Sequence, residues 1–266
     1  YLKLINLNDY SLTADNREDD KENVYDDISK LILNREVEID LDKYSLNKQS
    51  YLEIAEQLEI DYYYIIESLV LDRRLNKIKV TYNENEINTF EDVESAYKFI
   101  LENDITDDKS ISSLVKLGLK DTYSVKGTKL GQLKYFNIIK IGDNYYNIDL
   151  SSSNREMFMC SDKQAYDMGY TKNISFIDFK CLDDSKEYYL NNNLVANNID
   201  EYRDILKREV SNGSYNISIK YLGDNLTSSQ IIDTISTVFD ELNKRDLLSR
   251  VRFADSNKIY TVRIGE

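Results

Sequence analysis

The sequence predicts an α+β protein, and three observations carry that prediction. Apolar residues recur at helical spacing in several stretches and form short β-rich runs in others. Turn residues join successive β-rich runs as antiparallel hairpins. The helical and strand-like segments come in blocks instead of alternating one by one, which points away from a parallel α/β sheet. With 266 residues, 41% hydrophobic and 31% charged, the chain can bury a sizeable core, as one large domain or two to three small ones.

Taken in order, Tyr1 to Asn23 ends in an acidic run, Asp15 to Glu22, that reads as solvated. Val24, Ile28, Leu31 and Ile32 predict a first helix from Val24, and a second short one covers Ser50 to Leu58. Tyr62 to Leu71 and Lys77 to Tyr82 read as strands of a hairpin turning through Asp72 to Asn76. Thr89 with Asp92 predicts a capped helix, with Val93, Ala96, Tyr97, Ile100 and Leu101 as its apolar face. A further helix spans Thr106 to Leu117, stopped by Gly118 just past its end. Strands follow at Thr122 to Gly127, Tyr135 to Ile141 and Tyr145 to Leu150, the last two joined by Gly142-Asp143-Asn144.

Met157 to Gly169 carries no clear period, although Ser161 can cap a short helix there. Tyr188 to Ala196 reads as a hairpin turning at Asn191-Asn192-Asn193. Asn198 with Glu201 caps a helix to Val210, and a strand runs from Tyr215 to Tyr221. Thr227 with Gln230 caps a helix to Leu242, and a hairpin through Ser256-Asn257 closes the chain. Boundaries near Asn85 and Asn198 divide the sequence into 1–85, a helical and hairpin cap; 86–197, a core; and 198–266, an α+β subdomain. No internal repeat is visible.

Composition excludes several chemistries. There is no histidine, so Ser-His-Asp and Cys-His mechanisms and His-ligated metals are ruled out. There is no proline, where ordinary usage would give about thirteen, and the bias toward Asn, Asp, Lys, Ile and Tyr reads as an AT-rich bacterial genome. The net charge of −14 repels phosphate backbones, and the longest basic cluster is Arg73-Arg74 with Lys77 and Lys79, so no nucleic-acid partner is expected. No stretch reaches the ~20 apolar residues of a membrane-spanning helix, so no integral membrane segment is expected. A first residue other than Met reads as a trimmed chain, with a leader peptide as one origin of the trimming. Cys160 and Cys181 can form one disulfide or stay free.

The acidic groups Asp15 to Asp20, Asp107-Asp108 and Asp183-Asp184 lack the spacing that wraps a loop around calcium, and read as solvated. The 22 tyrosines offer rings for sugar stacking, but Tyr62-Tyr63-Tyr64 and Tyr145-Tyr146 sit in predicted strands, where alternate rings face a core. No metal or cofactor is expected.

Ser110 to Asp149 carries a more specific pattern. A helix ends in Leu117-Gly118-Leu119, a strand follows, then Lys134-Tyr135-Phe136-Asn137-Ile138-Ile139-Lys140-Ile141 and Gly142-Asp143-Asn144-Tyr145-Tyr146-Asn147-Ile148-Asp149. This order resembles the core of the transglutaminase-like superfamily, a papain-like fold. There a Cys-bearing helix, a strand with His-Ala-Trp-Asn and a hairpin ending in Asp build a Cys-His-Asp triad. Asn137, Ile138 to Ile141, Tyr145, Tyr146 and Asp149 match the pattern. Lys134 stands at the histidine position, Tyr135 at the alanine, Phe136 at the tryptophan and Ser152 where a tryptophan often follows the aspartate. The nucleophile should fall between Asn103 and Lys109, where there is no cysteine, and Cys160 and Cys181 come after Asp149. The flanks resemble those of clostridial surface proteins.

The resemblance implies a transglutaminase-like core without catalysis, a cell-surface or secreted location in a low-GC Gram-positive bacterium, and a binding or scaffolding role toward a protein or peptide. The alternative location is the cytoplasm. The residues expected to line the degenerate cleft are Lys134, Tyr135, Phe136 and Asp149, with a Lys134–Asp149 contact across adjacent strands as one expectation. Taken alone, Lys134 reads as a solvated lysine at a strand start, and Asp149 as a strand-end carboxylate bonded to a turn. Two other readings stand beside this one: an amide hydrolase or transferase using Ser110, Ser112 or Ser113 with Lys134, and a purely structural assembly protein.

Overall fold

The computed structural model describes residues 14–152, 154–173 and 179–265. The chain is α+β. The described residues start with α1 (Ala14–Leu33), β1 (Glu38–Asp40), α2 (Lys48–Asp61), β2 (Ile66–Asp72), β3 (Lys77–Tyr82), α3 (Val93–Glu102) and α4 (Asp108–Gly118). Next come β4 (Thr122–Lys129), β5 (Gln132–Ile141), β6 (Asn144–Ile148), β7 (Phe158–Cys160), α5 (Asp162–Asp167) and β8 (Tyr170–Lys172). The remainder is α6 (Tyr188–Asn191), β9 (Val195–Ala196), α7 (Ile199–Ser211), β10 (Asn216–Tyr221), α8 (Ser228–Glu241), a 3₁₀ turn, β11 (Val251–Ser256) and β12 (Ile259–Ile264). The described residues fall into two compact units, one within Tyr1–Tyr145 and Gly169–Lys180, the other within Tyr146–Met168 and Cys181–Glu266.

In the first unit, α1 and α2 cover a three-stranded sheet in the order β1-β3-β2. Val24, Ile28 and Ile32 of α1 meet Ile54 and Leu58 of α2 and Ile39, Ile66, Ile78 and Val80 of the sheet in one buried cluster. The outer face is ionic, with Lys77 bonded to Glu38 and Lys79 Nζ 3.3 Å from Asp72. A second layer sets α4 beside β4 and β5, with α3 against α4; β4 pairs antiparallel with β5 on one edge and β8 on the other. In the second unit, α7 and α8 pack on a four-stranded sheet in the order β11-β12-β10-β9, burying Tyr202, Leu206, Ile235, Val238 and Phe239 against Ile217, Ile219, Tyr260 and Val262.

Several boundaries differ from expectation. Helix α1 starts at Ala14, so its backbone runs through the stretch read as an acidic run ahead of the first helix. The strand expected from Tyr62 begins at Ile66; Tyr62 to Tyr64 form a turn closing α2. Asp92, not Thr89, is the cap of α3, with Ser95 completing the reciprocal box, and Leu101 is half exposed. Gly118 is the last residue of α4 and not a left-handed stop. An added Cβ there would sit 2.4 Å from the Phe90 ring and 2.6 Å from the Asn88 carbonyl oxygen, so the glycine is needed for close packing.

The Tyr188 to Ala196 hairpin is overturned. Glu187 caps one helical turn by accepting from the Leu190 N–H at 2.8 Å, and Asn193 (φ 54°) ends it in the left-handed region. Helix ends and hairpin turns both favour Asn in that region, and fully buried Tyr189 tips this segment toward the helix. β9 then lies parallel to β10. Strand β1 was not foreseen, because only Ile39 of its three residues is apolar.

Candidate functional site

The first turn of α4 places the chemistry of the first unit. Asp107 is the cap: its Oδ2 accepts from the Ser110 N–H at 2.8 Å and from the Ser110 hydroxyl at 2.6 Å. That puts Asp108 at the first helical position, aimed at the start of β5. Its Oδ2 accepts the Tyr135 N–H at 3.1 Å and lies 3.6 Å from Lys134 Nζ. The Lys134 side chain is 19% exposed, so the expectation of a solvated lysine is corrected to an ion pair.

The next residue extends the arrangement. Lys109 Nζ bonds Glu59 at 2.7 Å and stands 4.2 Å from the ring centre of Tyr63 and 5.7 Å from that of Tyr135. Tyr63 is exposed and Tyr135 half-buried. Two tyrosine rings, two ammonium groups and two carboxylates therefore converge where α2, α4 and β5 meet.

Behind them lies a buried polar network. Ser112 donates its hydroxyl to the Phe136 carbonyl at 2.9 Å, and Ser113 donates to the Asp61 carbonyl at 2.9 Å. Asn137 Nδ2 donates to the Ser112 carbonyl at 2.8 Å. The Asp61 carboxylate is fully buried; it accepts from the Tyr25 hydroxyl at 2.5 Å, Gln57 Nε2 at 3.0 Å and the Ser124 N–H at 3.1 Å. Burial, reinforced by the Asp61 charge, holds the Tyr25 hydroxyl well above the usual tyrosine range. The network ties α1, α2, α4, β4 and β5 together and fixes the angle at which α4 presents Asp108.

The four residues expected at the cleft are placed unequally. Lys134 and Tyr135 join Asp108 as described. Phe136 is 2% exposed, its ring edge-on to Tyr170 with centres 5.8 Å apart, so it is a core residue. Asp149 belongs to the second unit, is 2% exposed, and accepts from the Ser151 N–H at 3.0 Å and the Ser151 hydroxyl at 2.6 Å, as a turn-bonded strand-end carboxylate should.

Both cysteines lie in the second unit, buried and unlinked. Burial, with the Glu187 carboxylate adding to it, pushes the Cys160 thiol up to about 12, so it holds its proton at neutral pH. Asp183 and Asp184 also bond within the protein, Asp183 to the Tyr146 hydroxyl at 2.5 Å and Asp184 to the Ser161 N–H at 2.8 Å.

Sequence reasoning missed Asp108, which had been read with Asp107 as a solvated pair. The signal was present: Asp107 three residues before Ser110 is a cap, and a cap at Asp107 puts Asp108 in the first turn. Compared with known proteins, the sequence matches no protein-family model and no curated protein.

Proposed function

We propose that the chain is a transglutaminase-like protein without turnover, in which an Asp108–Lys134 ion pair stands in place of a nucleophile and its base, and that it binds a protein or peptide there. One observation supports this reading above the others. The side chain that meets Lys134, the residue at the histidine position of the resemblance, comes from the first turn of α4, within the stretch where the nucleophile was expected. A carboxylate and an ammonium so placed satisfy one another, and neither attacks an amide carbonyl. What they leave is a recognition surface: Tyr63 and Tyr135 supply amphipathic contact area, and Lys109 a cation between them.

The Ser-Lys alternative has less support. The hydroxyl hydrogens of Ser110, Ser112 and Ser113 go to Asp107, the Phe136 carbonyl and the Asp61 carbonyl, not to an amine. A cell-surface setting rests on the resemblance of the flanks. The test is a titration of the full chain with a glutamine-containing peptide, followed by amide NMR and by recovery of the peptide. Saturable shifts at Lys109, Lys134 and Tyr135 are expected, with the peptide recovered intact and affinity falling about tenfold in Tyr135→Ala. Shifts elsewhere only, or a consumed peptide, would overturn the reading.

A further inference from the structure

The start of α7 and the short strand β9 border an open cavity of about 350 Å³ in the second unit, lined by Leu190, Asn193, Val195, Glu201, Asp204 and Ile205. That volume lies at the lower end of small-ligand sites. Exposed Leu190, half-buried Val195 and buried Ile205 make its apolar part. None of these residues belongs to the Asp108–Lys134 site, and nothing below depends on that site.

The charged lining is acidic and is not neutralised from within. Glu201 accepts from the Asn197 N–H at 2.8 Å, from Asn197 Nδ2 at 2.9 Å and from Asn198 Nδ2 at 2.8 Å. These neutral donors hold its carboxyl below the usual range, so it is charged at neutral pH. Asp204 is exposed and has no hydrogen bond or ion pair among the described residues. On a helix its cation would come three or four residues away. The preceding turn offers only Asp200 and Glu201. In the following turn Lys207 Nζ bonds Glu241 at 2.9 Å, while Arg208 gives Nε to Glu209 and Nη2 to the Asn193 carbonyl, both at 2.9 Å. Both cations within reach of Asp204 are thus engaged elsewhere.

The main chain beside the cavity is open at one residue. The Lys220 N–H donates to the Leu194 carbonyl at 2.9 Å and the Leu222 N–H to the Ala196 carbonyl at 2.8 Å, so the parallel ladder turns the N–H and C=O of Val195 away from β10. β9 is the last strand of its sheet, and among the described residues no strand pairs with that side. On either side of Val195 the N–H groups are used: Leu194 donates to the Tyr189 carbonyl at 2.8 Å, and Asn197 to Glu201 as above.

The geometry points to a site for one basic residue of an extended partner peptide. Its main chain pairs with Val195, its aliphatic stem lies against Leu190 and Ile205, and its cationic head meets Asp204 and Glu201. Apolar walls leading to two uncompensated carboxylates select a long cationic side chain over an acidic or purely apolar one. The open N–H and C=O of Val195 select a peptide over a free amine.

The probe is an end-blocked Thr-Thr-Lys-Thr-Thr peptide titrated into the full chain and read by amide NMR, with norleucine in place of lysine as the uncharged control and n-pentylamine as the stem and ammonium without a main chain. Saturable shifts at Val195, Asp204 and Ile205 are expected. The lysine peptide should bind at least about fivefold more tightly than either control, and more weakly at high salt. Asp204→Asn should lower its affinity about fivefold with the far-ultraviolet circular dichroism unchanged. Asp233→Asn removes the same charge from an exposed position of α8 outside the lining, and should leave the affinity within about twofold. No binding, shifts elsewhere only, equal binding of the norleucine peptide or of pentylamine, undiminished affinity in Asp204→Asn, or an equal loss in Asp233→Asn would each overturn the proposal.

Discussion

A single carboxylate organises the interior of the first unit. Asp61 has no cation within its described bonds and takes three neutral donors from Tyr25, Gln57 and Ser124, while its own carbonyl accepts from Ser113. Asp61→Ala strands all three donors, and a buried donor left unmade costs about 1–3 kcal/mol, so a loss of at least about 3 kcal/mol is expected by urea unfolding. A loss below about 1 kcal/mol would mean that water or repacking replaces the network. Residues of this kind were the least legible in the sequence. Asp61 ends a helix and precedes three tyrosines, and nothing in that spacing announces partners at positions 25 and 124. Asp108 was more legible, because its place follows from the local cap at Asp107.

Among the elements, those with local signatures were read best. The caps at Asn198 and Thr227 fall where Glu201 and Gln230 answer them three residues on, and the hairpin at Gly142-Asp143 has the expected left-handed glycine (φ 62°). The Gly142 signal is a single-residue conformational demand, so it survives any tertiary context. Tyr188 to Ala196 had no such unique demand, and packing of Tyr189 decided it. Gly118 illustrates the same limit: the sequence marked a glycine at a helix end, but its reason is the Phe90 ring behind it. Gly118→Ala therefore separates the two explanations. A left-handed stop would be strained by its backbone, whereas here overpacking against Phe90 and Asn88 should cost about 1–3 kcal/mol. Trimming the ring in a Phe90→Ala background should recover much of that loss, read as a thermal midpoint, and no recovery would assign the cost elsewhere.

Across the whole molecule, buried acids with tightly held protons set the pH response. Burial raises Cys160 to about 12 and Tyr82 to about 12, and also raises Tyr25, Tyr62 and Tyr202. Each is neutral in both states below its unfolded value, near 9.0 for the thiol and 10.0 for the phenols. Above that value the unfolded chain loses the proton first, so the folded state loses stability as pH rises toward the folded value. Stability by urea unfolding should stay level up to about pH 9 and then fall steadily toward pH 12, with tyrosinate absorbance rising as the chain unfolds. Stability that increased across that range would contradict the burial of these groups. The α+β class was legible because block order and turn signals are written locally. The grouping into two units was not, because Gly169–Lys180 joins the first unit and Tyr146–Met168 the second, an interleaving that no composition shift marks.

The central claim is recognition without chemistry at the Asp108–Lys134 pair, and ammonia release tests it most directly. The purified chain is incubated with a glutamine-containing peptide and a primary amine, alongside Lys134→Ala. Ammonia should accumulate at the rate of the peptide alone for both proteins. A wild-type rate above that background, abolished by Lys134→Ala, would contradict the claim and make Lys134 a catalytic residue.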